Sequence, residues 1–302
     1  MSTSGGQGLA STDLPAGFQA ADRASAQHQK VAARLLSAQL AALSLAALGG
    51  VVDVRVLHDK ANLGGLLALV GFAAAVVTTL IAQARDAEGR WYRTRAAAES
   101  YKTLAWRYAV GGEPFGFGSQ EPEMILQARF RDILAGLDAK DLTPAAPGPQ
   151  VSQRMSALRS VPLDSRRDAY VESRIEDQEG WYFEKALAAA RSARTWTIAA
   201  WAAGATGAVL GVLRLLTVID ADVLGLIATG VAGVAAWTQF RQHRVLAASY
   251  SVAQQELATV KITAMGITTE SEWEVFVRDA EDAISREHTL WLARRGATPP
   301  SP

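Results

Sequence analysis

The sequence predicts an all-α integral membrane protein with two duplicated transmembrane helical hairpins, whose long helices extend into a cytoplasmic helical bundle. Three observations predict this fold: long stretches without charge, positive charge concentrated on one side of them, and a pattern that occurs twice. The uncharged stretches are 35–52, 61–84, 195–213 and 223–240, and each holds 18 to 24 residues. Because a helix needs about 17 to 25 apolar residues to cross the hydrocarbon layer, we expect four spans.

A soluble bundle with four buried helices is the alternative fold. It is less favoured, because a core helix of a globular protein usually carries a charged face. The third stretch is rich in Ala and Gly, so we expect it to insert together with the fourth as a hairpin. A cleavable signal peptide fits poorly, because 34 residues precede the first stretch and no short apolar core with a cleavage site stands out.

The flanking charges predict the orientation of the spans. Three basic residues lie in the two hairpin loops, namely Arg55, Lys60 and Arg214. Twelve flank the opposite ends, namely Arg23, Lys30, Arg34, Arg85, Arg90, Arg93, Arg95, Lys185, Arg191, Arg194, Arg241 and Arg244. Since cytoplasmic segments carry the excess of Lys and Arg, both termini and the long middle segment are expected in the cytoplasm.

The two halves of the chain repeat one pattern. Gln83 and Arg85 end the second stretch as Gln239 and Arg241 end the fourth, with the same offset of 156 residues. We predict a first domain over 21–142, a Pro-rich linker over 143–150 and a second domain over 151–302, after a disordered tail over 1–20. Gln83, Arg85, Gln239 and Arg241 are candidates for the rim of a pore. The alternative is that these four residues only anchor the spans at the membrane–water interface.

Composition excludes several classes of function. The 30 basic and 30 acidic residues give no net charge. This argues against a nucleic-acid-binding protein, because such proteins usually carry an excess of basic residues. Cysteine is absent and the four histidines lie far apart in sequence, so no metal or cofactor site is expected. The chain has no phosphate-binding loop, zinc-protease motif or serine-hydrolase elbow, so no enzyme is predicted. No acid or base lies within a span, which argues against an ion-coupled transporter.

Two motifs carry a family resemblance. One precedes the third span and is formed by Arg167, Tyr170, Arg174, Ile175, Gln178, Trp181, Tyr182, Lys185 and Ala186. The other follows the second span and is formed by Trp91, Tyr92, Arg95, Glu99, Ser100, Lys102, Trp106, Arg107 and Tyr108. The chain resembles a tandem of two SLATT proteins, the two-transmembrane effector domains associated with SMODS nucleotidyltransferases and SLOG sensors in bacterial defence systems.

This resemblance implies a multi-pass protein of the inner membrane that forms oligomers. The implied function is to form a pore or disrupt the membrane after a nucleotide-type signal. The implied partners are membrane lipid, further copies of the chain, and a nucleotide-signal sensor or nucleotidyltransferase encoded nearby. The alternative is a non-conducting membrane anchor that holds a soluble partner through its helical bundle.

Helical spacing also predicts two apolar faces outside the spans. Thr94, Tyr101 and Tyr108 share one face after the second span, and Trp273, Val277, Ala280, Ile284 and Trp291 form a stripe on the last helix. Thr269 with Glu272 predicts the start of that helix, and Ala46 with Gly50 has the spacing of a small-residue contact.

Spacing singles out three further groups of residues as candidates. Tyr170, Arg174, Gln178, Trp181 and Lys185 share one helical face, which could bind a partner or signal or could pack on a neighbouring helix. Arg95 and Glu99 form an i, i+4 pair that could set the register of two helices if it is buried. Gly204, Gly207 and Gly211 form a small-residue surface for helix packing, within the chain or between subunits.

Overall fold

The computed structural model describes residues 8–51, 55–56, 61–142, 148–217 and 224–294. The described residues confirm an all-α fold, with one short antiparallel pairing of β1 (Arg55–Val56) with β2 (Ala61–Asn62). The α-helices are α1 (Ala16–Val51), α2 (Leu63–Arg85), α3 (Ala87–Val110), α4 (Pro122–Ala135), α5 (Gln153–Arg159), α6 (Leu163–Tyr170), α7 (Asp177–Leu215), α8 (Leu224–Arg241), α9 (His243–Met265) and α10 (Glu270–Arg294). A π-helical turn (Val171–Glu176) joins α6 to α7.

The chain divides into two compact units that cut across its two halves. The polar unit comprises Met1–Ala32, Asp86–Trp181 and Gln254–Pro302, and the apolar unit comprises Ala33–Arg85 and Tyr182–Ala253. Each unit therefore draws segments from both repeats. The domain boundaries at 142 and 151 stay a prediction, and residues 143–147 of the predicted linker lie outside the described residues.

Three described helical segments are long and apolar enough to cross a membrane. They are Ala16–Gly50, Leu63–Val110 and Leu163–Leu215, and at most 11% of their most apolar windows is buried within the chain. The fourth predicted span forms α8, but several of its side chains lie outside the described residues. The number of four spans therefore stays a prediction.

Glycine and alanine bring α1 and α2 into close contact. A Cβ atom on Gly71 would lie 2.5 Å from the backbone nitrogen of Ala46, and one on Gly49 would lie 2.4 Å from that of Ala68. Real Cβ atoms do not approach that closely, so only glycine permits this packing. Gly50, which the sequence pairs with Ala46 by spacing, faces open space instead.

The core of the polar unit forms around α3, on which α4, α5, α6 and α10 pack. Thr94, Tyr101 and Tyr108 of α3 are buried, as their helical spacing predicts. The predicted stripe of α10 is confirmed at Trp273, Val277, Ala280 and Ile284, which are buried, while the side chain of Trp291 lies outside the described residues. Thr269 caps α10, since its hydroxyl accepts from the Glu272 amide at 3.3 Å, and the same hydroxyl donates to the Glu272 carboxylate at 2.8 Å.

The predicted disorder of residues 1–20 is wrong for the described part of that range. Residues 8–20 include a 3₁₀ turn (Ser11–Asp13) and the start of α1. Leu9, Leu14 and Phe18 are buried in the polar unit. Composition favoured disorder because Gly and Ser dominate, but three large apolar side chains at suitable spacing suffice to fix the segment.

Candidate functional site

One carboxylate of α10 gathers side chains from three elements of the polar unit. Glu281 is completely buried. Its Oε1 accepts hydrogen bonds from the Tyr170 hydroxyl at 3.0 Å and from Nε of Arg174 at 2.8 Å. Its Oε2 accepts from the Thr103 hydroxyl at 2.9 Å and from Nη2 of Arg174 at 2.7 Å, so the ion pair is bidentate. We call Thr103, Tyr170, Arg174 and Glu281 the buried cluster.

The π turn and an aromatic wall position the buried cluster. Tyr170 ends α6 and Arg174 lies within the π turn, so both side chains reach the same carboxylate. The Tyr170 ring packs edge-on against Trp106 and Trp273, with 5.7 Å between ring centres in each case. These rings exclude water from the ion pair, and single π turns of this kind are frequent at functional positions in proteins.

Charge pairing keeps Glu281 ionised despite its burial. Burial favours the neutral carboxyl, but the charge and hydrogen bonds of Arg174 outweigh burial and lower the pKa of Glu281 below its usual range. Thr103 and Tyr170 add hydrogen bonds that favour the charged form. Because all four side chains are buried, the cluster fixes the relative register of α3, α10 and the π turn, and it has no access to a substrate.

One donor of the buried cluster is left unsatisfied. Nη1 of Arg174 is buried and has no hydrogen-bond partner among the described residues. A buried donor without a partner costs about 1–3 kcal/mol. Within the described part of the chain, the position of Arg174 therefore carries a local energetic cost.

The predicted partner face is divided by the structure. Tyr170 and Arg174 lie in the interior and donate hydrogen bonds to Glu281, which is the arrangement that the packing alternative describes. Gln178 and Trp181 are half-buried and Lys185 is exposed. A partner or signal contact at these three stays a prediction.

The predicted structural pair forms at the surface. Nη2 of Arg95 lies 2.6 Å from Oε1 of Glu99, and Nη1 of Arg95 lies 3.7 Å from Asp22. The Arg95 side chain is 40% exposed and that of Glu99 is 15% exposed, so the arginine side of the pair is open to solvent. A role of the pair in setting the register of two helices stays a prediction.

The predicted rim and the predicted glycine surface have different outcomes. Gln83, Arg85 and Gln239 are exposed, while the side chain of Arg241 lies outside the described residues, and the role of a pore rim stays a prediction. A Cβ atom on Gly207 would lie 3.1 Å from Ile227 of α8, whereas Gly204 and Gly211 have no atom of the described residues within 4 Å. Of the three packing glycines, one therefore contacts a neighbouring helix within the chain.

Sequence reasoning missed a second buried cation, Arg166. Its side chain is 1% exposed, pairs with Glu270, and donates to the carbonyl oxygens of Val110 at 2.6 Å and Val161 at 3.0 Å. Its guanidinium carbon lies 4.3 Å from the ring centre of Phe117. In the sequence Arg166 stands in a run of charged residues, which is typical of a solvated helix face, so no signal in the sequence identifies it.

Sequence reasoning also missed Asp141, which fixes the chain after α4 to α3. This carboxylate is completely buried and accepts from Arg93 at 2.9 and 3.1 Å, with Arg90 at 3.8 Å. Burial raises the pKa of Asp141, but the hydrogen bonds and charge of Arg93 outweigh burial and the pKa falls below its usual value. Asp141 stands just before the Pro-rich linker, where a charged residue usually indicates solvent.

A groove of about 520 Å³ opens on the polar unit beside α4 and α5. The Arg159 guanidinium carbon lies 5.0 Å from the ring centre of Tyr108 and 4.8 Å from that of Phe117. Arg159 donates to the carbonyl oxygens of Tyr108 and Gly116, and burial lowers its pKa.

Within the described residues, no group of three or more His, Asp or Glu side chains is placed to hold a metal ion.

Comparison with protein families finds two adjoining matches. Residues 15–167, just over half of the chain, match the family model described as SMODS and SLOG-associating 2TM effector domain 3. Residues 170–291 match the model described as SMODS and SLOG-associating 2TM effector domain 1. Comparisons with curated proteins and with solved structures give no match. The tandem arrangement that the two sequence motifs predict is thereby confirmed.

Proposed function

This chain belongs to the SLATT family of two-transmembrane effector domains, and from that premise we propose that it is a defence effector that permeabilises the bacterial inner membrane. In this proposal, copies of the chain assemble in the membrane and open it after a nucleotide-type signal. The signal comes from a sensor or nucleotidyltransferase encoded nearby. The polar unit lies in the cytoplasm and receives it.

The observation that carries the proposal is the exposure of the apolar helices. Leu69 and Phe72 of α2 are 67% and 59% exposed, and Trp201 of α7 is 74% exposed. So many large apolar side chains exposed on the same helices need lipid or another protein to cover them. The family match and this exposure together support an effector that acts within the membrane.

Open small-residue surfaces support assembly of several copies. Gly204 and Gly211 of α7, and Gly230 and Gly233 of α8, have no atom of a described residue within 4 Å of a Cβ position. Surfaces of this kind let helix backbones approach closely in lipid. A passive pore lined by small residues and hydroxyl groups needs no ionisable group within a span, and the spans contain none.

Release of a trapped dye from liposomes is the direct test of this proposal. We expect purified full-length protein to release dye once its activator is added, and induced expression with the activator to depolarise cells. Gly211→Leu should reduce release, because it blocks the open surface, while leaving the folding of the chain intact. Protein-free liposomes and an inactive nucleotidyltransferase serve as controls.

Retention of dye and of membrane potential by fully inserted protein, with the activator present, would contradict permeabilisation. That result would favour the non-conducting anchor. One observation favours this second function: the hydroxyls of Thr78 and Thr206 donate to carbonyl oxygens of their own helices at 2.8 and 2.9 Å. These hydroxyl groups are therefore satisfied without lining a pore.

A further inference from the structure

The second hairpin carries two arginines around one hydroxyl group. Arg194 and Thr197 lie three residues apart on α7, so they share one face of that helix. The Thr197 hydroxyl accepts a hydrogen bond from Nη2 of Arg244, in the first turn of α9, at 3.2 Å. Both arginines are exposed. We call Arg194, Thr197 and Arg244 the basic site, and all three residues belong to the apolar unit.

The Thr197 hydroxyl fixes the position of Arg244. It donates its own proton to the carbonyl oxygen of Ala193 at 2.8 Å, so its oxygen is left to accept from the guanidinium group. Arg244 makes no further hydrogen bond within the described residues. Because a guanidinium group has several N–H donors, most of those on Arg244 are available to a ligand.

The arginines at this end of α7 have no counter-ion among the described residues. Arg191, Arg194 and Arg244 form no ion pair there. In the polar unit, by contrast, Arg166 and Arg174 each pair with a carboxylate. Like charges this close on a helix repel each other, so the basic site has a positive charge that an anion would compensate.

The first repeat has the opposite charge at the equivalent turn. Asp86, with φ of 45°, separates α2 from α3, and Gln242, with φ of 46°, separates α8 from α9. These two residues have the offset of 156 that relates the repeats, and two residues further on stand Glu88 and Arg244. Since peptide dipoles already make a helix N-terminus positive, an arginine there is unfavourable without an anion, whereas a glutamate is favourable.

Two tryptophans indicate the depth of the basic site in the membrane. Trp196 directly precedes Thr197 and packs against Trp237 of α8, with 6.0 Å between ring centres. Indole rings favour the headgroup layer of a bilayer. The uncharged stretch of α7 begins at Thr195, so the basic site lies where the charged part of the helix meets its apolar part. The phosphate groups of phospholipids lie in the same layer.

We propose that the basic site binds the phosphate of an anionic phospholipid headgroup. Planar guanidinium groups match the oxygen atoms of a phosphate and bind them through paired hydrogen bonds. A zwitterionic lipid carries the same phosphate but adds an ammonium group, which the two arginines would repel. The inference rests on the membrane location of the family and is independent of permeabilisation.

Native mass spectrometry of the full-length protein in a neutral detergent tests this preference. It compares the first molecule retained of phosphatidylglycerol, which is anionic, with that of phosphatidylcholine, which is zwitterionic. An arginine beside an anionic lipid contributes about fivefold to binding, so Arg194→Gln with Arg244→Gln should weaken phosphatidylglycerol binding by about 25-fold. Binding of phosphatidylcholine should change much less.

Arg34→Gln with Arg85→Gln is the matched control. Both arginines are exposed, form no ion pair among the described residues and lie at the ends of the first hairpin. This variant removes the same charge from the apolar unit without touching the basic site, so it should leave the affinity almost unchanged. Equal losses in the two double variants would show diffuse surface charge and overturn the inference.

Thr197→Val separates a built site from charge alone, because it keeps both arginines and removes only the hydroxyl group. Loss of the hydrogen bond to Arg244 should weaken phosphatidylglycerol binding by about fivefold. An unchanged affinity in this variant would contradict the site. All variants should unfold at the same temperature in lipid-free detergent, so that lost binding is distinguished from lost folding.

A soluble phosphate is the other source of this chemistry. An excess of glycerol phosphate carries the same group without acyl chains and should not displace phosphatidylglycerol. Displacement by it, or equal retention of the two lipids, would overturn the inference. A confirmed lipid preference in a protein that releases no dye would support the basic site and contradict the proposed function.

Discussion

The polar and apolar units of this protein are stabilised by different interactions. In the polar unit the largest buried side chains are aromatic or charged, including Trp106, Trp273, Arg166 and Arg174, and each has specific partners. Among the described residues of the apolar unit, the buried hydrophobic positions are alanines and one tyrosine, namely Ala42, Ala46, Ala75, Tyr182 and Ala189. The polar unit therefore has one specified arrangement, while the apolar unit leaves large faces for lipid or other chains.

The largest expected effect is the loss of the buried cluster. Glu281→Ala should lower the free energy of unfolding of the polar unit by about 3–5 kcal/mol, because Arg174 would remain as a buried charge without its partner. Chemical unfolding of the full chain, followed by near-ultraviolet circular dichroism, measures this change.

Lys140→Gln is the control for that experiment. It removes the ion pair with Asp138, whose two side chains are each 62% exposed, and the expected change is below about 0.5 kcal/mol. Equal effects of the two substitutions would show that burial does not distinguish these ion pairs, and the contrast between the two units would then lose its main support.

A smaller effect tests the apolar unit. Gly71→Leu should destabilise the α1–α2 contact by about 1–3 kcal/mol, because the new side chain meets the backbone of Ala42 and Ala46. Gly211→Leu, in open space, should leave the thermal unfolding of the single chain unchanged. If both variants unfolded at the same temperature in detergent, the close packing of the first hairpin would not contribute to stability.

Acid should weaken the polar unit before the apolar unit. The pKa values of Glu281 and Asp141 are lower in the folded chain than the values of about 4.3 and 3.9 in unfolded chains. Their contribution is therefore complete above about pH 5 and is lost as the pH falls through 4 towards the folded values. We expect the free energy of unfolding to fall over this window.

Asp141→Asn should make that fall shallower. It should also cost about 1 kcal/mol at neutral pH, since Arg93 is 37% exposed and partly screened. A pH profile identical to that of the unmodified chain would contradict the role of Asp141. Unfolding followed by tryptophan fluorescence between pH 7 and pH 3 gives this measurement.

Periodicity and charge predicted the parts of the fold that depend on burial of apolar surface. The helices, the stripe from Trp273 to Ile284 and the cap at Thr269 follow from spacing alone. These features are local, because each depends on residues within a few turns of one another. The order of residues 8–20 was missed because it depends on contacts with distant segments of the chain.

The buried charges could not be predicted from the sequence. Arg166 and Glu281 have the same sequence surroundings as solvated residues on a helix face, and their partners lie 104 and 107 residues away. The π turn is equally hidden, since its sequence is compatible with a regular helix. The whole fold determines which single residues pair over such separations. Hydrophobic spacing indicates which face of a helix is buried, and it does not predict these pairs.

The pairing of Thr103 with Glu281 spans 178 residues and has a consequence for biosynthesis. As the ribosome delivers the chain from its first residue, every predicted span is made before Glu281 emerges. The predicted spans can therefore be inserted while the core of the polar unit is still open, and that core closes only when translation of α10 is complete. A message cut short before that point would yield inserted hairpins that lack the contacts holding the π turn in place.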